Sequence, residues 1–406
     1  MGKPRLLFLA HRIPYPPDKG EKIRAWHMLE HLARDWVVDL GCLVDDPADA
    51  QHLPVLRGCC AAVYAAPVTR NGRIARTLFG TRPGEPLSLA WFREPGLARW
   101  VRAGLGAQRY DAVLVYSSAM ATYVPPGPGG PLRILDMVDV DSEKWRAYAA
   151  SAGGPKRLVW AREARTLLAF ERRAAAQFDR TLLVSAQEAQ TLAALAPEVA
   201  SRIDWVENGV DVERFDPKYD WPDPFAAASP AIIFTGTMDY RPNIEAVSFF
   251  ATEVMPRLVS LLPAPHFHIV GASPSPAVRA LAELPRVHVT GGVPDMRPYL
   301  AHAAVAVAPL RIARGIQNKV LEAMAMARPV VASPEAHEGV RAVAGRDLLV
   351  ADGAEAMAAA VTRVLAGRTP DLGAAARTAV LAGHDWKATL KRLDDILDAA
   401  ARMKAA

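Results

Sequence analysis

Cysteine is scarce in this 406-residue chain, which has only Cys42, Cys59 and Cys60. The count is odd, two are adjacent and no Cys-x-x-Cys pair occurs. A disulfide framework and a structural zinc site are therefore not expected, and a reducing cytoplasm is the expected setting. Long apolar runs are lacking too. No stretch approaches 18 uncharged apolar residues, so no transmembrane helix is expected. The first apolar run, Leu6 to Ala10, is too short for a signal-peptide core and is stopped by His11-Arg12. Neither sign of charge dominates: 48 Lys and Arg against 43 Asp and Glu give +5. That modest excess suits an anionic ligand or a membrane surface. With 51% hydrophobic and 22% charged residues, the chain is globular rather than disordered.

Short apolar runs alternate with longer stretches of helical periodicity. Residues 5–10, 36–44, 112–116, 132–137 and 180–184 read as strands. Residues 22–33 read as a helix with Ile23, Trp26, Leu29 and Ala33 on one face. A second series starts near Ala231, with strands at 232–235, 267–270, 287–290, 304–308 and 330–332 and a helix from about Asn243. This rhythm predicts an α/β chain with two parallel, doubly wound sheets, hence two Rossmann-like domains facing across a cleft. Ligands of such sheets bind beyond the carboxyl ends of the strands. Residues 216–230, rich in Pro, Asp and Trp, read as a linker and domain entry. Residues 386–404 read as an amphipathic helix with Leu390, Leu393, Ile396 and Leu397 on one face.

The segment 313–325 carries the sharpest chemical signal. A glycine-containing loop, Ala313-Arg314-Gly315-Ile316-Gln317, runs into a strong helix former, and Asn318 reads as the N-cap of a helix starting at Lys319. Backbone N–H groups of Gly315, Ile316, Gln317 and Asn318, aided by the helix dipole, suit an anion such as a diphosphate. Arg314 and Lys319 add positive charge, and the Glu322 carboxylate can accept two ribose hydroxyls. From spacing alone, a capped surface helix fits as well. Gly20, between the first strand and the first helix, lets the backbone approach a phosphate or sugar without a Cβ clash. Lys19 and Lys22 flank it within reach of the same anion; a turn glycine with solvated lysines is the alternative.

Three carboxylates, Asp136, Asp139 and Asp141, follow the strand residues Leu132–Leu135. Such a cluster can activate an acceptor hydroxyl or bind a metal, and a substrate contact or acceptor base is the preferred reading. Capping of the next helix by Asp141 is the alternative. His266 and His268 share one strand face, but no third ligand is near in sequence, so a metal is not expected there. Residues 156–173 form a basic amphipathic helix. Arg70, Arg73, Arg76 and Arg82 form a second basic stretch, mixed with Ile74, Leu78 and Phe79. Both suit an anionic membrane surface or a lipid-linked acceptor, with solvated helices the alternative. Nucleic-acid binding is not expected, because no binding module accompanies the charge.

Glu322-Ala323-Met324-Ala325, with Arg328-Pro329-Val330-Val331-Ala332-Ser333, resembles the donor-binding signature of the group 1 (family 4) retaining glycosyltransferases. Asn208-Gly209-Val210-Asp211 with Phe215-Asp216-Pro217 resembles the opening of their C-terminal domain. Residues 234–243 resemble its first strand and phosphate loop, including Gly236 and Arg241, and 184–188 the serine turn near the end of their N-terminal domain. Gly292-Val293-Pro294-Asp295 resembles the loop near the donor base. The shared order spans nearly the whole chain. It implies the GT-B fold, with an acceptor-side domain at 1–207, a nucleotide-sugar domain at 208–385 and a C-terminal helix at 386–406 packing back on the first domain.

The resemblance further implies transfer of a hexose-type unit from a nucleoside-diphosphate sugar to a glycan or lipid-linked acceptor. The mechanism would be retaining, with front-face chemistry and no obligatory metal or other cofactor. In this reading Asp139 and His11 line the sugar and acceptor side, and Glu322 holds the ribose. Gly20, Gly236, Arg241 and the segment Arg314 to Lys319 bind the donor diphosphate. Residues 11–24 and 139–145 resemble the subgroup linked to bacterial PEP-CTERM/exosortase exopolysaccharide systems, which implies a cytoplasmic enzyme, peripheral at the inner face of the membrane. The chain departs from the family in two respects. Arg314 stands where a first glutamate is usual, and Thr237 and Asn243 stand near the usual Arg and Lys of the phosphate loop. The competing expectations are a nucleotide-sugar 2-epimerase of the same fold and a non-catalytic sugar-binding protein.

Overall fold

The computed structural model describes residues 2–17, 20–127, 129–225, 229–313 and 316–405. It divides into two units: Met1–Glu207 with Leu390–Ala406, and Asn208–Thr389. The first unit is built on seven strands: β1 (Arg5–Ala10), β2 (Val37–Val44), β3 (Ala62–Pro67), β4 (Ala112–Tyr116), β5 (Leu132–Val138), β6 (Arg180–Leu183) and β7 (Ile203–Trp205). Their order is β3-β2-β1-β4-β5-β6-β7, with all neighbours parallel. Parallel strands buried on both faces need near-continuous apolar sequence, and Leu6 to Ala10 and Val113 to Tyr116 are all buried to within 1%. The order reverses direction between β1 and β4, so His11 and Ser117 leave the sheet at its topological switch point.

The second unit repeats the pattern with six strands: β8 (Ala231–Thr235), β9 (His266–Val270), β10 (Val287–Gly291), β11 (Val305–Ala308), β12 (Val330–Ala332) and β13 (Leu349–Val350). They run in the order β10-β9-β8-β11-β12-β13, again all parallel. Here the switch point lies between β8 and β11. The loop from Gly236 and the loop that ends at the helix Asn318–Ala325 flank it. Three strands were not expected from the sequence. β7 and β13 have three and two residues, too few to show a period. β3 is alanine-rich and only partly buried, so it lacks the apolar contrast that marks the others.

No helix among the described residues is long and apolar enough to cross a membrane. The two basic stretches form the helices Arg70–Gly80 and Gly154–Gln177. One member of the first departs from the expected solvent-facing role: Arg73 is only 3% exposed, because Asp45 at the end of β2 and the rings of Trp91 and Phe92 draw it inward.

Candidate functional site

In the second unit, chemistry gathers at the switch point. After β8 the chain passes through Gly236 (φ +152°), where a Cβ would stand 2.7 Å from Asn243 Nδ2. After β9 it passes through Gly271, where a Cβ would stand 1.7 Å from the Gly236 carbonyl oxygen. The two strand ends therefore approach more closely than any side chain permits. Asn243, near the start of the helix Arg241–Phe249, donates from Nδ2 to the Thr237 carbonyl at 2.9 Å. That bond turns its Oδ1 toward Lys319, whose Nζ donates to it at 2.7 Å. The ammonium also lies 4.9 Å from the Phe234 ring centre.

Burial pushes Lys319 down to about 8, partly opposed by the Glu322 charge. Burial pushes Glu322 up to about 7, with Lys319 and Arg214 pulling the other way. A charged pair this poorly solvated is a place where an anionic ligand gains most from binding. The helix begins one residue earlier than expected. Gln317 occupies the cap position in extended conformation without a side-chain cap bond. Asn318 is the first helical residue and not the cap, because its Oδ1 accepts from Asn208 Nδ2 at 3.4 Å. The leading N–H groups of a helix have no intrahelical partner, so this end presents donors beside the Lys319 ammonium. Ile316 is buried in the core of the unit, leaving only its main chain for a ligand. Arg314 and Gly315 lie outside the described residues, as does Lys19.

Arg241 does not join this cluster through any contact given by the structure: half-exposed, it pairs with Glu245 at 2.7 Å on the helix surface. Asp295 likewise pairs with Arg297 at 2.6 Å. Two contributors were not legible in the sequence. The Asn208 side chain reaches Asn318 across 110 positions, and the Arg214 charge acts on Glu322.

The first unit has its own cluster at its switch point. His11, just after β1, stacks on Tyr116 with centroids 5.7 Å apart and meets Phe92 edge-on at 5.5 Å. Burial pushes it down to about 4, so it is neutral near pH 7. Asp139 follows β5 and is pushed up to about 7, first by burial, then by the charges of Asp141 and Glu188. Three buried atoms here, His11 Nδ1, Tyr116 Oη and Asp139 Oδ1, have no hydrogen-bond partner among the described residues. Buried polar groups are normally satisfied, so this set is prepared for a polar ligand. The backbone is strained at both strand ends: Ser117 after β4 has φ +80° and Val138 in β5 has φ +69°. Such conformations persist where the surroundings impose them, often at ligand sites. Tyr116 is missing from the sequence expectations, because only the strand order shows that it ends beside β1.

The rest of the expected cluster resolves differently. Asp136 is completely buried and bonded to Arg24, with Nη2 at 2.8 Å and Nε at 2.9 Å, so it is a structural partner and not part of an open acidic site. Asp141 is not a cap. Val140 holds that position in the helix Asp141–Ser151, and desolvation of the Asp141 carboxyl raises its pKa. Lys22 is not available to an anion beside Gly20, because it is buried against Asp49 at 2.9 Å. Gly20 itself opens the helix Gly20–Leu32 and is exposed.

His266 and His268 acquire a third neighbour, His288 on β10. Its ring stacks at 5.0 and 4.7 Å on the other two, and its Nε2 lies 2.7 Å from His266 Nδ1. The parallel rings do not converge on one point, and among the described residues no group of three or more His, Cys, Asp or Glu can hold a metal.

Residues 229–367 match the family of glycosyl transferases group 1, a span that includes the Gly236, Asn243, Lys319 and Glu322 cluster. No curated protein matches the chain. Solved structures match over almost its whole length. Sucrose-phosphate synthase from Thermosynechococcus elongatus is 19% identical, with 98% of each chain covered and a TM-score of 0.68. HepE from Anabaena, solved in complex with UDP-glucose, is 14% identical, with 98% of this chain and 100% of the other covered and a TM-score of 0.67. WaaG, a glycosyltransferase involved in lipopolysaccharide biosynthesis, is 16% identical, with 96% and 99% covered and a TM-score of 0.64. The fold is GT-B, with two Rossmann-like units, and the second unit is related to the group 1 glycosyl transferases.

Proposed function

We propose that this chain is a retaining glycosyltransferase that moves a hexose-type unit from a nucleoside-diphosphate sugar to a glycan or lipid-linked acceptor. The observation that carries the proposal is the Lys319 ammonium, held by Asn243 beside the Gly236 main chain at the switch point of the second unit. A sheet of this kind binds its ligand there, and a diphosphate is the ligand that close backbone, helix N-terminus and buried cation together favour. Glu322, one turn further along the same helix, accepts the ribose hydroxyls in this reading. As the bond to the sugar breaks, negative charge grows on the departing diphosphate. Fixed donors then stabilise the transition state more than the ground state.

The acceptor half of the reaction belongs to the first unit. Asp139 takes the proton of the acceptor hydroxyl, and neutral His11 hydrogen-bonds the sugars. Relatives of the same fold include one solved with UDP-glucose and one involved in lipopolysaccharide biosynthesis, which supports a role in cell-surface or exopolysaccharide synthesis. The segments at 11–24 and 139–145 favour the PEP-CTERM/exosortase-associated subgroup. A cytoplasmic enzyme, peripheral at the inner face of the membrane, is consistent with its basic helices.

Purified protein with UDP-, GDP- and ADP-sugars tests this reading through donor turnover and nucleotide-induced shifts in melting temperature. Lys319→Ala should lower kcat/KM for the donor about ten- to a hundredfold, since a charge-assisted hydrogen bond contributes roughly 1.5–3 kcal/mol. Glu322→Ala should weaken nucleotide binding in the same assay. Turnover at the wild-type level in both variants overturns the assignment.

A further inference from the structure

Two arginines, Arg12 and Arg73, gather beside His11, a third, Arg76, lies within electrostatic reach of Arg73, and the donor chemistry leaves them unused. Arg12 follows β1. Its Nη1 lies 2.5 Å from Glu21 Oε1 and its Nε lies 3.1 Å from Asp45 Oδ2. Arg73, from the helix Arg70–Gly80, brings Nη1 to 3.5 Å from the same Asp45 oxygen. Its guanidinium carbon lies 5.5 and 5.4 Å from the ring centres of Trp91 and Phe92. Arg73 Nε and Nη2 and Arg76 Nε are buried and have no hydrogen-bond partner among the described residues. Arg73 is 3% exposed, yet burial and the like charges of Arg12 and Arg76 oppose its ionisation. Asp45 is shared between Arg12 and Arg73, and Glu21 pairs with Arg12. A buried cation held among like charges, with donors unused, is costly unless an anion completes the set.

We propose that Arg73 and Arg76, with Arg12, form a binding site for a phosphate group carried by the acceptor. The site deepens the reading of the first unit as the acceptor side and rests on it. It lies at the carboxyl ends of β1 and β2, where a sheet of this order receives ligands. The guanidinium fork matches phosphate oxygens in pairs, which an ammonium cannot do. The same helix turns Ile74, Leu78 and Phe79 to solvent, Phe79 to 89% and Leu78 to 70%. Large apolar side chains one turn from a phosphate site suit a phosphate that arrives on a lipid, its chain lying against them.

The test uses the full chain. Inorganic phosphate and pyrophosphate are titrated calorimetrically into wild type, Arg76→Gln, Asp45→Asn and Lys319→Ala. Arg76→Gln should weaken binding about tenfold through loss of one charge-assisted contact. Asp45→Asn, which removes the competing carboxylate, should tighten it several-fold. Lys319→Ala should weaken only pyrophosphate taken up by the donor pocket and leave the Arg76-dependent part of the titration in place. Both first-unit variants avoid deleting the buried Arg73, so circular dichroism of the wild-type form is expected for each. Wild-type titration curves in Arg76→Gln and Asp45→Asn overturn the proposal. Loss of binding in Lys319→Ala alone also overturns it, by placing the phosphate in the donor pocket, while leaving the donor assignment standing.

A second arm compares sedimentation with phosphatidylcholine vesicles containing phosphatidic acid or, at equal charge, phosphatidylglycerol. Preference for phosphatidic acid, reduced in Arg76→Gln, supports a lipid-borne phosphate. Binding of free phosphate without vesicle capture supports the same site with a soluble phosphorylated acceptor.

Discussion

Asp139→Asn should reduce sugar transfer by about two to four orders of magnitude, the range in which a positioned acid or base contributes. The same substitution should make the protein more stable above pH 7. Both effects have one cause: the carboxyl is buried among Asp141 and Glu188 and is raised to about 7 from an ordinary 3.8. A carboxyl raised on folding favours the folded state while it is protonated. Its contribution is complete below pH 4 and is lost as pH rises to 7. Holding the ionised form in that pocket costs at most about 4 kcal/mol, from about 1.4 kcal/mol for each tenfold change in proton affinity. An amide cannot ionise, so denaturant midpoints of Asp139→Asn and wild type should coincide near pH 4 and separate at pH 8, with the variant higher. Wild-type kcat/KM should climb through about pH 7 as the base ionises. A variant with wild-type turnover would remove Asp139 from the chemistry.

Asp136, three positions earlier, should behave in the opposite way. Asp136→Ala should destabilise the first unit by about 3–5 kcal/mol, because it takes the Asp136 carboxylate away from the buried Arg24 guanidinium. Arg24 is 1% exposed and also donates to the Val206 carbonyl at 2.7 Å. The double substitution Arg24→Met with Asp136→Leu should recover most of the loss, since replacing both partners by apolar groups removes the unpaired charge. Urea midpoints of the three variants decide the matter. A single Asp136→Ala as stable as wild type would mean that Arg24 finds another anion. Asp136 also accepts the Val138 N–H at 3.1 Å, which braces the left-handed turn that presents Asp139, so some activity should be lost with it.

These two aspartates show what a sequence reveals and what it hides. Asp136, Asp139 and Asp141 look alike in the chain, and their different roles come from Arg24, 112 positions away in the case of Asp136. The strands were legible because a parallel sheet buried on both faces writes itself as runs such as Leu6 to Ala10 and Ile232 to Phe234. Glycine was legible only in part. The resemblance put Gly236 in a phosphate loop, but its close approach to Gly271, on another strand, was hidden. Charged side chains were not legible. Arg73 and Arg76 belong to one basic stretch, yet the sign of Asp45 and the faces of Trp91 and Phe92 decide that Arg73 turns inward. Likewise His288 completes a stack with His266 and His268 only because β10 pairs with β9 in that register.

On the proposed reading, donor capture by the second unit is also an acid–base event. With its amine near 8, Lys319 is only part-ionised in mildly alkaline solution, and a diphosphate drawn against it would restore the missing hydrogen ion from the medium. The heat released on mixing nucleotide and enzyme would then vary with the ionisation enthalpy of the buffer, and the fraction taken up would fade toward pH 6, where the amine is already saturated.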